Sequence, residues 1–277
     1  MLFSEEMSQN NRKKILFGSF IFLLLGVGVF LYPVISNYQE SRLHEKIIRG
    51  YETAVIQADK ELMKTEWKKA QEYNQKLRDD YENILNLEGT GVMGYIEIPK
   101  IDVRLPIYHG SEEESLKKGV GHIEKTSLPI GGKGTHCVLT GHRGLPSAQL
   151  FTRLDELAEC DLIYLRMLDE TLAYEVDNIT VVLPEEVENI RISPEHDYVT
   201  LVTCTPYGVN THRLLVRGRR TEYKEQKMNE NVTRDYLAEK KKYILAGFLA
   251  GLLILLIGAE CYVCKRRKYK RRKCKKR

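Results

Sequence analysis

From residue 94 to residue 217 the chain is a succession of short, β-branched apolar runs, each closed by glycine, proline or another turn former. The runs cover residues 94–98, 103–108, 120–123, 136–140, 162–167, 172–183, 199–204 and 213–217. So many short strands expose unpaired edges if the sheet stays open, and closure into a barrel removes those edges. One helical turn or more interrupts the series at 149–157, where Leu150, Leu154 and Leu157 share a face. The expected fold is mainly β: an eight-stranded, closed or nearly closed barrel over residues 89–222.

Residues 37–88 read differently. They are rich in Glu, Lys, Gln and Ala and contain no proline, and their apolar positions recur at three- and four-residue intervals. That pattern predicts one or two amphipathic helices with a break near Gly50. Such a lead-in is either a spacer packed on the barrel or a helix that binds a partner.

Both ends carry stretches suited to a bilayer, which needs roughly 20 apolar residues at about 1.5 Å per residue. Residues 15–36 form the first span, with no charge over 15–35, and residues 243–263 the second, with Glu260 near its end. Arg12, Lys13 and Lys14 precede the first span, and a basic tail, 264–277, follows the second. The positive-inside rule then puts the tails 1–14 and 264–277 in the cytoplasm and residues 37–242, including a linker at 223–242, outside. A cleaved signal peptide is the alternative for the first span, but no small-x-small site follows its apolar run. Residues 265–277 carry 11 Lys and Arg against a whole-chain net charge of +5, so the exported part is acidic. The basic block suits anionic headgroups, and a nucleic-acid partner is not expected.

Cysteine is sparse between the spans: Cys137, Cys160 and Cys204. An odd number is no disulfide framework, although a Cys137–Cys160 bridge is open. Cys261 and Cys264 form a lone CxxC beside the membrane, suited to packing or acylation rather than to zinc, which needs further ligands.

Cys204 ends the run 199–204, and Arg213 opens the next. Read alone, Cys204 is either a core thiol or a nucleophile. Thr203 and Thr205 on either side suggest that the strand is leaving the core there, and a turn at 206–208 brings Arg213 back beside it. A nearby guanidinium favours thiolate and can bind an oxyanion. Of seven histidines, His142 sits just past a strand in Thr140-Gly141-His142-Arg143-Gly144, flanked by glycines that suit an exposed ring. His109, His122 and His212 are the other candidates for the base.

These stretches resemble the signature sites of sortases, the membrane-anchored cysteine transpeptidases of Gram-positive bacteria. Residues 96–101, 105–110, 119–122, 126–129 and 204–210 are similar to the class C, pilin-polymerising branch, and the likeness extends over residues 73–220. The resemblance implies a sortase-type barrel, Cys204 as nucleophile, His142 as acid and base, and Arg213 as oxyanion and substrate anchor, with Thr203 and Thr205 touching substrate. It also implies cleavage of an LPxTG-type sorting signal between Thr and Gly, a thioester, and transfer to an amine on a pilin lysine or on peptidoglycan. No metal or organic cofactor is implied.

Many class C members cover the site with an Asp-Pro-aromatic lid. Here Tyr73-Asn74-Gln75-Lys76-Leu77 is followed directly by Arg78-Asp79-Asp80-Tyr81, with no proline. Asp80-Tyr81 imitates such a lid or simply packs as part of a continuous helix. The competing functions are a cysteine hydrolase of the same geometry and a membrane-tethered scaffold with a structural Cys204.

Overall fold

The computed structural model describes residues 2–76, 81–145 and 148–224 together with Gly251, giving the backbone alone at residues 2–20, 23, 30, 188 and 189. The chain divides into a unit Met1–Tyr223 and a second unit Lys224–Arg277. Apart from Tyr223, Lys224 and Gly251, the expected linker, second span and basic tail lie outside the described residues.

Eight strands close on themselves: β1 Val92–Ile98, β2 Val103–Tyr108, β3 Val120–His122, β4 Thr135–Thr140, β5 Leu162–Met167, β6 Glu170–Val182, β7 Asp197–Thr205 and β8 His212–Thr221. Around the barrel they run β1-β2-β3-β4-β7-β8-β6-β5. The β2–β3 and β4–β7 pairs are parallel and the rest antiparallel. Period-two alternation turns Val199 and Leu201 of β7 into a core shared with Ile96, Ile98, Ile107, Leu139, Ile163 and Val216.

The lead-in is helical but breaks elsewhere than expected. Helix α1 (Leu2–Gln57) runs straight through Gly50, and helix α2 (Lys60–Lys76) starts after a break at residues 58–59. Glycine costs a helix roughly 1 kcal/mol, which the burial of Ile48 and Tyr51 on either side of it against Val92, Tyr95 and Tyr108 offsets. Asp59 sets the actual break, its Oδ1 accepting the Leu62 N–H at 2.7 Å as an N-cap. The uncharged run 15–35 lies within α1, which continues through Pro33. No helix is long and apolar enough to cross a membrane, among the described residues.

The lead-in packs on the barrel. The Tyr51 hydroxyl donates to the Met93 carbonyl at 3.1 Å and accepts the Leu168 N–H at 2.7 Å. Arg104 of β2 pairs with Glu45 and Glu52 of α1 and with Glu97 of β1. From α2, the Asn74 side chain exchanges two hydrogen bonds with the backbone of Leu128, and Glu66 accepts the Leu85 N–H.

Helix α2 reaches Lys76, and the continuous helix expected over residues 73–81 falls in part outside the described residues. Residues 77–80 lie outside the described residues, and Tyr81 opens a 3-10 turn, Tyr81–Asn83. Tyr81 is buried, its hydroxyl accepting the Gly110 N–H and bonded to His122 Nδ1, both at 2.8 Å. Tyr81 therefore belongs to the packing and not to a cover over Cys204. The loop between β2 and β3 carries helix α3 (Glu113–Lys118).

Candidate active site

Strands β7 and β8 set Cys204 directly opposite Arg213. Directly opposed residues project from the same face of a sheet, so thiol and guanidinium share one side. On its other flank β7 runs parallel to β4, with Thr140 opposite Val202. One step on, the Gly141 N–H donates to the Val202 carbonyl at 3.1 Å, and the Thr203 hydroxyl donates to the Gly141 carbonyl at 2.7 Å. The same register, carried two residues past Thr140, brings His142 level with Cys204.

The glycines around His142 have separate reasons. A Cβ on Gly141 would stand 2.8 Å from Cδ2 of Phe151, which is fully buried and cannot retreat. Gly144 has φ +84° and lies against the Tyr207 ring, 3.0 Å from where a Cβ would be. Gly141→Ala is expected to shift the His142 loop, lowering kcat/KM at least about tenfold and stability by about 1–3 kcal/mol. Peptide-cleavage kinetics and a urea melt check it; unchanged kinetics would show that the loop absorbs the clash elsewhere.

Arg143 ties this loop to the strand that carries the thiol. Its Nη1 donates to Thr205 Oγ1 at 3.0 Å and its Nη2 pairs with Asp155. Arg213 uses only Nη1, donating to the carbonyls of Asn210 and His212 at 3.2 and 3.0 Å. Its Nε and Nη2 have no protein partner among the described residues and are free to meet a carbonyl oxygen or an oxyanion.

The other expected residues resolve as follows. His122 is fully buried, its Nε2 bonded to the Ser127 carbonyl at 2.9 Å and its Nδ1 to Tyr81. His109 spends both ring nitrogens on the carbonyls of Gly91 and Ile84. His212 stands opposite Thr205, its Nδ1 against the Thr211 hydroxyl. His142, two residues past the β4 end that pairs with Val202, has a ring nitrogen, Nε2, with no hydrogen-bond partner among the described residues.

All three barrel cysteines are free, so no Cys137–Cys160 bridge forms. Cys137 is a core thiol whose pKa burial pushes well up, whereas Cys204 is half-exposed. Thr203 corrects the expectation of substrate contact. It is 1 % exposed, on the same face as Leu201, and its hydroxyl is spent on Gly141. The strand leaves the core one residue later than the flanking threonines suggested. Thr205 serves as the acceptor for Arg143.

A cleft of about 700 Å³ leads to this pair. Val138, Thr140 and Val202 form its floor, Leu116 and residues 123–126 one wall, and Pro184, Val187 and Ile190 the other, with Arg213 at the margin. Cys204 follows Val202 on the same face of β7 and so stands where the floor ends. The loop after β6 thus lines the cleft, whereas in the turn at 205–210 Tyr207 packs on Gly144.

Sequence reasoning missed Glu113 at the start of α3, whose Oε2 lies 3.5 Å from His142 Nε2. It stands 29 positions upstream in sequence, and no spacing rule links the two. Among the described residues no group of three or more His, Cys, Asp or Glu is placed to hold a metal ion.

Comparison with known proteins gives the family. The Sortase domain family matches residues 96–221. Sortase D of Bacillus subtilis is 32% identical over 130 residues, 46% of this chain and 63% of that protein. Sortase A of Bacillus anthracis is 28% identical over 198 residues, 71% of this chain and 90% of that protein. Among solved structures, sortase C1 of Streptococcus agalactiae superposes with a TM-score of 0.62 at 45% identity, covering 65% of this chain and 100% of that one. Sortase C of Streptococcus pneumoniae gives 0.59 at 43% identity, covering 64% and 97%. With a barrel of that topology and a thiol, an imidazole and a guanidinium at the end of its β4–β7 cleft, the chain belongs to the sortase family of cysteine transpeptidases, in its class C branch.

Proposed function

We propose that this protein is a membrane-anchored transpeptidase that cleaves an LPxTG-type sorting signal between Thr and Gly and joins the new acyl end to a pilin lysine. The observation that carries it is the register pairing of Cys204 with Arg213 at the end of an apolar cleft, with His142 two residues past the strand that flanks β7 on its other side. An extended peptide lies along Val138, Thr140 and Val202, and its scissile carbonyl reaches Cys204. The thiolate attacks, and the oxygen gathers negative charge beside the free N–H groups of Arg213. Protonated His142 gives its proton to the departing glycine nitrogen, leaving a thioester on Cys204 and a neutral imidazole. An amine then attacks the thioester, His142 takes a proton from it, and the thiolate leaves.

Pilin as the substrate is supported by the pilus-related sortase C of Group B Streptococcus, 42% identical with a TM-score of 0.58. Wall anchoring is the second reading and differs in the acceptor amine alone. The membrane reading rests on the uncharged run 15–35, the basic residues flanking both apolar stretches, and the exposed Phe22, Leu24, Leu25, Val27 and Val29 on α1. In it both termini are cytoplasmic and the barrel is extracellular.

The test is to incubate the full chain in detergent with sorting peptides, alone and with lysine-bearing acceptors, and to read Cys204 and the products by mass spectrometry. An acyl group on Cys204 and an isopeptide product are expected. Free acid alone with every acceptor would make the protein a hydrolase, and no adduct on Cys204 with any sorting peptide would leave it a scaffold.

A further inference from the structure

The second half of the proposed reaction begins with a cation. A lysine side chain reaches the thioester as an ammonium, and it must shed protons before its nitrogen can attack, so the groups beside His142 bear on acceptor use. What lies there is Glu113, with Oε2 at 3.5 Å from His142 Nε2. The contact does not have hydrogen-bond geometry, and Nε2 is shielded from solvent without another partner among the described residues. The Glu113 side chain is 65% exposed, and its Oε1 meets Lys117 at 3.2 Å. Lys117 foremost, with His142 after it, holds this carboxyl below its ordinary range, so it is an anion at neutral pH. The neighbouring carboxylate of Asp155 is committed to Arg143.

We infer that the Glu113 carboxylate is the docking group for the incoming ammonium, a lysine side chain or another protonated primary amine. The inference rests on the transpeptidase reading above. An ammonium on Glu113 Oε2 abuts the unbonded imidazole nitrogen that serves as its base. One ammonium proton passes to solvent, balancing the proton that the departing glycine amine takes up. The nitrogen lone pair then forms the C–N bond, a second proton goes to His142 Nε2, and the C–S bond breaks with its electron pair on Cys204 sulfur. Thiolate and imidazolium are restored, and nothing is oxidised or reduced. Exposure is part of the logic: the anion is open to an arriving lysine and covers the base from one side.

The experiment measures the ratio of aminolysis to hydrolysis for the full chain in detergent, with a saturating sorting peptide and two nucleophiles. One is a lysine-bearing peptide, and the other is hydroxylamine, uncharged at neutral pH. Glu113→Gln should lower the ratio about fivefold for lysine, through the acceptor KM, the scale of one exposed ion pair. With hydroxylamine the ratio should hold. Glu113→Lys should lower the lysine ratio on the order of twentyfold, because a like charge now faces the ammonium. An equal loss with both nucleophiles would make Glu113 a positioning residue for His142 and overturn the inference, as would no loss with either. Acylation of the unsubstituted protein with no aminolysis by either nucleophile would instead bring down the transpeptidase reading.

Discussion

Replacing Arg213 with lysine should lower kcat/KM for a sorting peptide by about 10²–10³-fold, the loss seen when one preorganised oxyanion donor is removed. Charge is kept in this variant, so the loss measures geometry. Arg213 fixes its Nη1 on two backbone carbonyls of its own turn, at 3.2 and 3.0 Å, and that anchoring holds the guanidinium on the face of the sheet that it shares with Cys204, with Nε and Nη2 left over. A planar fork can be held by one nitrogen and still present two others in a fixed direction. A lysine ammonium is a single atom: bound to those carbonyls it is short of the substrate, and reaching the substrate it abandons them. Stability should hardly move, because Arg213 is partly exposed and bonds only within residues 210–213. Peptide-cleavage kinetics with a melting curve separate the two effects. A fall of less than about fivefold would mean that the charge alone suffices and that the oxyanion is held by other groups.

The barrel was legible because its strands alternate. The bounds expected at 103–108 and 162–167 match β2 and β5; β4, β7 and β8 grew at ends that include Thr135, Asp197 and Thr221, β1 began earlier at Val92, and β3 and β6 each ended one residue early. Cys204, Arg213 and His142 were legible from local signals: a strand end, a strand start and a ring between glycines. The direction of Thr203 was not. Leu201 and Val202 are both apolar because both faces of β7 are covered, so composition leaves the parity of the strand undetermined and with it which of Thr203 and Cys204 points inward. The helix break went to Asp59 rather than Gly50 because buried contacts of Ile48 and Tyr51 outweigh a local propensity of about 1 kcal/mol. Glu113 depends on β3 carrying α3 against the end of β4, a long-range pairing with no local trace in the sequence. His122 looked like a candidate base until Tyr81, 41 residues away, took its Nδ1.

That same His122 should make the barrel sensitive to mild acid. Burial holds its pKa down to about 4, against 6.5 when free, with the Ser127 carbonyl working in the opposite direction. The hydrogen bonds agree with a neutral ring: with Nε2–H donating to the Ser127 carbonyl, Nδ1 is left as the acceptor for the Tyr81 hydroxyl. A proton on Nδ1 would displace that hydrogen bond and charge a ring with no solvent beside it. The folded pKa lies below the unfolded one, so the unfolded chain binds more protons between pH 6.5 and 4, and stability is complete above that window and lost as pH falls through it. Between pH 6.5 and 4.5 the loss from this one group is about 2–3 kcal/mol. His136 and His44, also lowered chiefly by burial, add to the slope in the same direction. Urea denaturation of the full chain in detergent can be followed through Trp67, the sole tryptophan, which holds Asp169 from α2. His122→Gln should be less stable at pH 7 yet show a shallower dependence on pH. A slope equal to that of the unsubstituted protein would assign the acid sensitivity to His136, His44 or the carboxylates, and a flat profile in the unsubstituted protein would mean that His122 takes up its proton without opening the core.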